Sequence, residues 1–545
     1  MTSRTLGHRA PLLWLVLPLM AGIATSKVSE FATVPWLLGA ALVAAVSAIL
    51  SAWRTTRWWA PSTAAAMFLA GSASYALHRA RLPEWDSLPP RETRLALRVD
   101  RVFLQADARR TTGLATIVRA ADQVREVVGQ KVYFSLTLRK GNPTPTRSAV
   151  VAAIGLLAPL ARNPPADTFD GYLDGAGVNF RLKRGQLLAT EQPPTRYHAF
   201  LERAAARLNG WLSTGVAGKR PDLAAVFRAM MLGQKHELSD EQNAEFMRSG
   251  TMHLFAINGL HIGVVALALH ALLAVARCPK PVAAVLTLAV LWLDVDTTGA
   301  SPSAVRAFIL VACYEAAVVL RAPANGIAAL SAAALAVLLF DPMALFSASF
   351  QMSYGVVLAI LCFGLPLAEH LAVRLALFQD VPEATWAIWQ RGLAALMRWF
   401  WPVFGIGLAA ALVSTISGPQ FFHVWAPGGL FSNLVLVPLA MLVIVAGFAS
   451  VVAGLVGFVM LGGLFNHAAM VLLIVIEKLI RVGVQVPAAW WTANWRAPWI
   501  ASVVLASLLA AILVGYSGGW KKPRGSWWPP VAIATLGLIF GVKFG

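Results

Sequence analysis

Between Ser249 and Ala276 the chain reads SGTMHLFAINGLHIGVVALALHALLAVA, apolar enough to cross a bilayer yet carrying His253, Asn258, Gly259 and His261. Imidazoles can ligate metals or move protons, and an Asn-Gly pair breaks a helix. As metal ligands the two histidines are poorly spaced: eight residues is not the i, i+4 spacing, and no thiolate or carboxylate stands beside them. No metal and no cofactor is therefore expected. Ser249 and Ser303 are the hydroxyls a membrane-embedded hydrolase would pair with such a histidine, but no motif sets them up as nucleophiles. HExxH, HxHxDH and GxxxxGK[ST] are absent, so neither nuclease nor ATPase chemistry is expected. Cys278, Cys313 and Cys362 lie in apolar runs without CxxC spacing and read as core residues.

Three more interruptions share the design of the first. TTGASPSAVRAF (Thr297 to Phe308) offers Ser301 as a helix cap, Pro302 at the first helical position, then Ser303 and Arg306. FDPMALFSASFQMSYG contains Asp341-Pro342, followed by Gln351 and Ser353. APGGLFSNLVLVPLAML carries Ser432, Asn433 and Pro438. Lipid cannot satisfy freed backbone groups, so broken helices at bilayer depth must face protein or a watery cavity. Half-helix N-termini then point positive dipole ends into that cavity and attract anions. A mid-membrane arginine such as Arg306 costs about 2.5–3.5 kcal/mol on insertion scales. It needs a partner: Asp294 or Asp296 in a structural pair, or a passing phosphate. Together the breaks predict a polar conduit for an anion, lined by His253, Asn258, Gly259, His261, Ser301, Ser303, Arg306, Gln351, Ser353 and Asn433. A secondary transporter for a small anion or lipid headgroup would use the same features.

Composition dictates what must hold these residues. Of 545 residues 58% are hydrophobic and only 13% charged, and the mean hydropathy is +0.66. Runs of about 20 apolar residues recur throughout, so a polytopic α-helical membrane protein is expected. Three apolar runs fill residues 1–80, near 10–26, 31–52 and 58–77. The first could pass for a signal peptide, but two more follow at once, which favours a retained helix. Further candidates lie near 251–276, 282–296, 303–321, 326–340, 345–367, 397–416, 428–456, 459–480, 498–516 and 528–543. Arg4, Arg9, Arg54 and Arg57 flank the early runs, and Lys521, Lys522 and Arg524 precede the last. By the positive-inside rule the N-terminus is cytoplasmic and the C-terminus extracytoplasmic, giving about 11–13 membrane segments, several broken or re-entrant.

Residues 91–190 differ. LALRVDRVFLQ, GLATIVRAAD, GQKVYFSLTLRK, AVVAAIGLLA and VNFRLKRGQLL alternate apolar with polar residues between turn signals. Five short strands suggest a small extracytoplasmic all-β barrel of the oligonucleotide-binding (OB) kind. Sixteen Lys/Arg against eight Asp/Glu leave this segment at +8, in a chain of net charge +19. A phosphate backbone would suit it, with Arg98, Arg101, Arg119, Lys131, Arg139, Arg181 and Lys183 as candidate contacts. A basic cap with no ligand fits the composition as well. Residues 197–247 carry amphipathic helical patterns suited to a membrane interface. Residues 248–545 form the main transmembrane region.

At this point the residues resemble a known family, the ComEC-type competence proteins. Gly250 to Gly263 is similar to its GxxHLxAISGLHxG, TGASPSAVRA (Thr298 to Ala307) to its TGxxPSxxRA, and DPMALFSASFQMSY (Asp341 to Tyr354) to its DPxxLxxxGFQLSF. FSNLVLVPL (Phe431 to Leu439) resembles its NLLAVPL, and NPPADTFDGYLDGAGV (Asn163 to Val178) the stretch that begins NP and ends YLxxxGI. Asn258 stands where many members have Ser, and the small residues at Ala348 and Ser349 also differ. The resemblance implies passage of single-stranded transforming DNA across the bacterial inner membrane, with lipid around the protein and a DNA-delivery apparatus on the outer side. Cytoplasmic pulling would fall to a DNA translocase or single-strand-binding proteins. Many members continue into a metallo-β-lactamase-like domain. This sequence ends at Gly545 without HxHxDH, so strand degradation is expected of a separate nuclease.

Overall fold

The structure, a computed structural model, describes residues 10–28, 33–79, 82–103, 109–138, 144–162, 164–165, 168–216, 218, 220–255, 257–322, 325–378, 381–521 and 526–545. Arg139 of the expected phosphate contacts lies outside them, as do Arg4, Arg9, Lys522 and Arg524.

Helices α1 (Leu13–Val28), α2 (Val34–Trp53) and α3 (Trp59–His78) open the chain. Where α1 crosses α3, a Cβ on Gly22 would sit 1.9 Å from the Phe68 carbonyl oxygen, and one on Gly71 2.3 Å from that of Leu19. Only glycine permits this backbone contact, the usual route to tight helix packing in lipid.

Five strands follow: β1 (Arg91–Phe103), β2 (Arg110–Ala120), β3 (Lys131–Thr137), β4 (Val150–Pro159) and β5 (Phe180–Gln192). They close into a barrel in the order β1-β2-β3-β5-β4, with β3 and β5 parallel and the other neighbours antiparallel. This is an OB-like barrel. Its interior follows from alternation: Leu95, Leu97 and Val99 turn inward from β1 to meet Phe134, Val151 and Leu182, while Arg94 and Arg98 stay exposed. A short helix, α4 (Phe169–Gly175), joins β4 to β5 and is capped by Thr168, which accepts from the Gly171 N–H.

The helical body comprises α5 (Arg196–Ser213), α6 (Pro221–Leu232), α7 (Asp240–Arg248), α8 (Gly259–Val275), α9 (Lys280–Thr297), α10 (Pro302–Val319), α11 (Gly326–Phe340), α12 (Ala348–Ala359) and α13 (Leu365–Arg374). It continues with α14 (Ile388–Phe421), α15 (Gly428–Val456), α16 (Val459–Gln485), α17 (Pro498–Ser517) and α18 (Trp528–Gly541). Within it α12 and α13 run through one π-turn at Ile360–Gly364, making a 27-residue segment. Seven helices among the described residues are long and apolar enough to cross a membrane, and four shorter apolar ones accompany them: α1, α8, α11 and α18. Of the short ones, α8 begins at a sequence break, whereas the break expected around Asn433 and Pro438 is not one, because α15 runs through both. The chain is thus a multi-pass membrane protein with an OB-like barrel inserted after its third helix.

In the 197–247 region, α6 buries Leu223, Val226, Phe227 and Met230 in a core shared with α8, α15 and α16. Its apolar face therefore meets protein. An exposed ion pair marks its start, where Arg220 donates to Asp222 at 2.8 Å and holds that carboxyl below its ordinary value.

The barrel is anchored to the body at two places. Arg147, in the β3–β4 connection, forms a salt bridge with Asp296 near the end of α9. The Asp296 carboxylate is buried, with 4% of its side chain exposed. Burial, and then hydrogen bonding to this same carboxylate, push the Tyr197 phenol above its ordinary value. On the other side α4 packs on the turn Pro342–Phe346: a Cβ on Gly175 would lie 3.8 Å from Ser347 Cα, and one on Gly177 3.5 Å from Met343 Cγ. Asp174 of α4 also takes Arg79 and, at 3.4 Å, Lys27.

Candidate functional site

Three helix starts converge beneath the barrel, and each is built by a local cap. Asn258 caps α8, its Oδ1 accepting from the N–H groups of Leu260 at 2.9 Å and His261 at 3.4 Å. The same side chain donates through Nδ2 to the His253 carbonyl. One amide thus closes the turn on both sides, which explains why the apolar run stops and restarts here. Gly259 is the first helical residue, and a Cβ there would reach only Ala307 of α10, at 4.0 Å. Its smallness is compatible with the neighbouring helix but not forced by it.

Before α10, Gly299 and Ala300 take φ of 89° and 46°. That left-handed turn, natural for glycine and strained for alanine, reverses α9 directly into α10. Ser301 then accepts from the Ala304 N–H at 3.3 Å, with Pro302 leading the helix. Ser303 lies 3.2 Å from the Ser301 hydroxyl and donates to the Ile257 carbonyl at 2.9 Å, tying the start of α10 to that of α8. The third start is α12, capped by Ser347, which accepts from the Phe350 N–H at 3.1 Å.

Arg306 joins the second start to the third. Its guanidinium is buried, the residue 4% exposed, and Nη2 donates to the Ser349 hydroxyl and, at 3.3 Å, to Ser353. The expected partners Asp294 and Asp296 are not used. Asp296 is claimed by Arg147 of the barrel, and Arg306 points instead toward α12. Among the described residues Arg306 has no ion pair, and its Nε has no hydrogen-bond partner. Asp341, at the turn before α12, attracts it without forming an ion pair. A desolvated cation answered by two neutral hydroxyls leaves its charge largely uncompensated.

Three neighbouring polar atoms are likewise buried and unpaired, His261 Nε2, Gln351 Oε1 and the Tyr354 hydroxyl, and so, elsewhere, is Asn433 Oδ1. His261 Nδ1 lies 3.3 Å from Asn258 Oδ1; if it donates there, Nε2 is an acceptor left over. Gln351 donates to the Leu345 carbonyl at 3.3 Å and has its oxygen to spare. His253 is exposed amid the buried Thr251, Leu254 and Phe255. Asn433 stands apart from this group. It lies on α15, whose first turn meets the 249–250 segment through Gly429, where a Cβ would be 3.2 Å from the Ser249 oxygen.

On the barrel, Lys131 and Lys183 are exposed. Arg98 approaches Asp100 at 3.9 Å, and Arg119 and Arg181 pair with Glu191 and Asp170. Sequence reading passed over Ser349, Ser347 and the Arg147–Asp296 pair. Ser349 was visible only as a small residue departing from a family pattern.

The cap on α8 can be tested directly. Asn258→Ala should cost about 1 kcal/mol and lower the thermal unfolding midpoint of the detergent-solubilised protein by a few degrees. Asn258→Ser, which keeps an acceptor, should recover most of the loss.

Known proteins bear on this arrangement. The family described as "Competence protein" matches residues 230–517, which include all three helix starts and Asn433. ComE operon protein 3 of Bacillus subtilis (strain 168) is 32% identical over 136 residues, 25% of this chain and 18% of that protein. The chain thus aligns with about a fifth of that relative's length. No solved structure matches. With more than half of its residues matched, the chain belongs to the Competence protein family.

Proposed function

We propose that the protein is a bacterial inner-membrane channel that passes single-stranded transforming DNA toward the cytoplasm, with the barrel on the outer side. The observation that carries this reading is Arg306, a buried cation held by hydroxyls where three helix N-termini meet beneath a basic barrel. Helix dipoles and the guanidinium together lower the cost of a phosphate in low dielectric. Neutral groups such as Ser353, Gln351 and His261 can hold it weakly enough to let it move on.

The channel acts without chemistry of its own, so energy and strand degradation come from other proteins. A delivery apparatus and a nuclease on the outer side, and a DNA translocase or single-strand-binding proteins inside, complete the process. Family membership and the name of the relative support competence as the setting.

Proteoliposomes separate this reading from a solute carrier. Vesicles holding the protein, with a single-strand-binding protein trapped in the lumen as a sink, should protect a labelled single strand from external nuclease. Empty vesicles should not. Rapid flux of phosphate or a small organic anion, with the strand left outside, would favour the carrier.

A further inference from the structure

The barrel carries a feature that its lysines and arginines do not explain. Four aromatic rings from three elements close on one another: Phe103 at the end of β1, Tyr133 on β3, and Phe169 and Tyr172 on α4. Phe103 and Tyr133 are 6.3 Å apart and inclined by 29°, and Phe169 and Tyr172 are 5.9 Å apart at 20°. Edge and tilted contacts of 5.1 Å and 6.2 Å link the two pairs. Two guanidiniums lie over these rings, Arg101 at 5.5 Å from Phe103 and Arg181 at 5.5 Å from Phe169.

Rings that only pinned α4 to the barrel would be covered. Instead Phe169 is 48% and Tyr172 43% exposed. Exposed aromatic surface gathered in one place marks an interaction site. The near-parallel pairs present π-faces, which nucleobases of any sequence recognise; Arg101 suits the connecting phosphates, and Arg181, paired with Asp170, props the rings. Duplex DNA hides its base faces, so this chemistry selects a single strand. The location fits as well: the helix that carries Phe169 and Tyr172 meets, through its last residue Gly175, the start of the helix that holds Ser349 and Ser353.

We propose that Phe103, Tyr133, Phe169 and Tyr172, with Arg101 and Arg181, form a base-stacking platform that loads single-stranded nucleic acid at the mouth of the conduit. This deepens the channel reading and rests on it, adding that bases as well as phosphates are recognised.

The test uses the full chain in nanodiscs and two labelled oligonucleotides of equal length, one of thymidines and one of abasic sugar-phosphates. The parent protein should bind the thymidine strand about tenfold or more tightly than the abasic one. Phe169→Ala/Tyr172→Ala should erase that preference and leave abasic binding unchanged. Phe169→Leu/Tyr172→Leu, which keeps bulk but removes the π-faces, should do the same. Equal binding of both strands by the parent would overturn the platform and leave a phosphate-reading channel standing. Binding of neither strand would remove the channel reading too. Full affinity in the leucine variant would make the rings mere packing. Poor nanodisc incorporation of both variants with strand preference intact would assign the rings to the lipid interface, again overturning the proposal.

Discussion

Arg306→Ala is expected to cut cellular uptake of a labelled single strand about a hundredfold at unchanged protein level. The estimate follows from what the guanidinium can offer a phosphate. A charged hydrogen bond contributes up to about 3 kcal/mol, and each 1.4 kcal/mol is about tenfold. The side chain's present partners, the Ser349 and Ser353 hydroxyls, would lose one donor each and can rotate toward neighbours. Removing a buried charge that has no ion pair should leave stability intact or raise it. Loss of uptake without loss of fold is therefore the signature of a cation kept for its traveller. Arg306→Lys should retain part of the activity, because the charge survives while the planar fork that spans two hydroxyls does not. Normal uptake in Arg306→Ala would sink the conduit assignment. A collapse of protein level would instead make Arg306 a structural group.

How far such a site can be read from residues alone depends on the range of the forces that build it. The break at Asn258-Gly259 and the cap at Ser301 were legible because each is a signal written within three residues of chain, though that Asn258 itself caps α8 was not read. The barrel strands were legible because alternation with period two is local, as Leu95, Leu97 and Val99 show. Helices dominated the composition, so the membrane class was plain. The partner of Arg306 was not, since Ser349 and Ser353 lie 43 and 47 residues downstream. A carboxylate ten or twelve positions upstream looked the better match by charge, yet the turn through Gly299 and Ala300 leaves it facing the barrel. Four rings drawn from β1, β3 and α4 have no common period, so no pattern announced the aromatic platform. The burial of α6 was hidden for a related reason: an amphipathic pattern reports that one face is apolar, not whether lipid or protein covers it.

The same distance effect makes the barrel's attachment a sharp test of how the two parts cooperate. Arg147 and Asp296 are 149 residues apart, joined across the boundary between barrel and helical body. The Asp296 carboxylate is 4% exposed and the Arg147 side chain 36%. Breaking a fully buried pair costs about 3–5 kcal/mol, because the remaining charge is stranded. With Arg147 a third exposed, Arg147→Ala should cost about 2–3 kcal/mol by that reasoning. The expected result is a thermal midpoint several degrees lower in detergent, with limited proteolysis releasing a barrel fragment that the parent protein retains. Asp296→Asn removes the stranded charge but keeps a hydrogen-bond acceptor for Arg147, so it should fall much less. The double variant Arg147→Ala/Asp296→Asn should recover most of what Arg147→Ala loses. Uptake should follow docking in this series, falling in Arg147→Ala even though Arg306 and the three helix caps are untouched. If Arg147→Ala leaves both the midpoint and uptake unchanged, the barrel is held by α4 and the Asp174 cluster alone. Delivery to the helix starts then does not depend on this salt bridge.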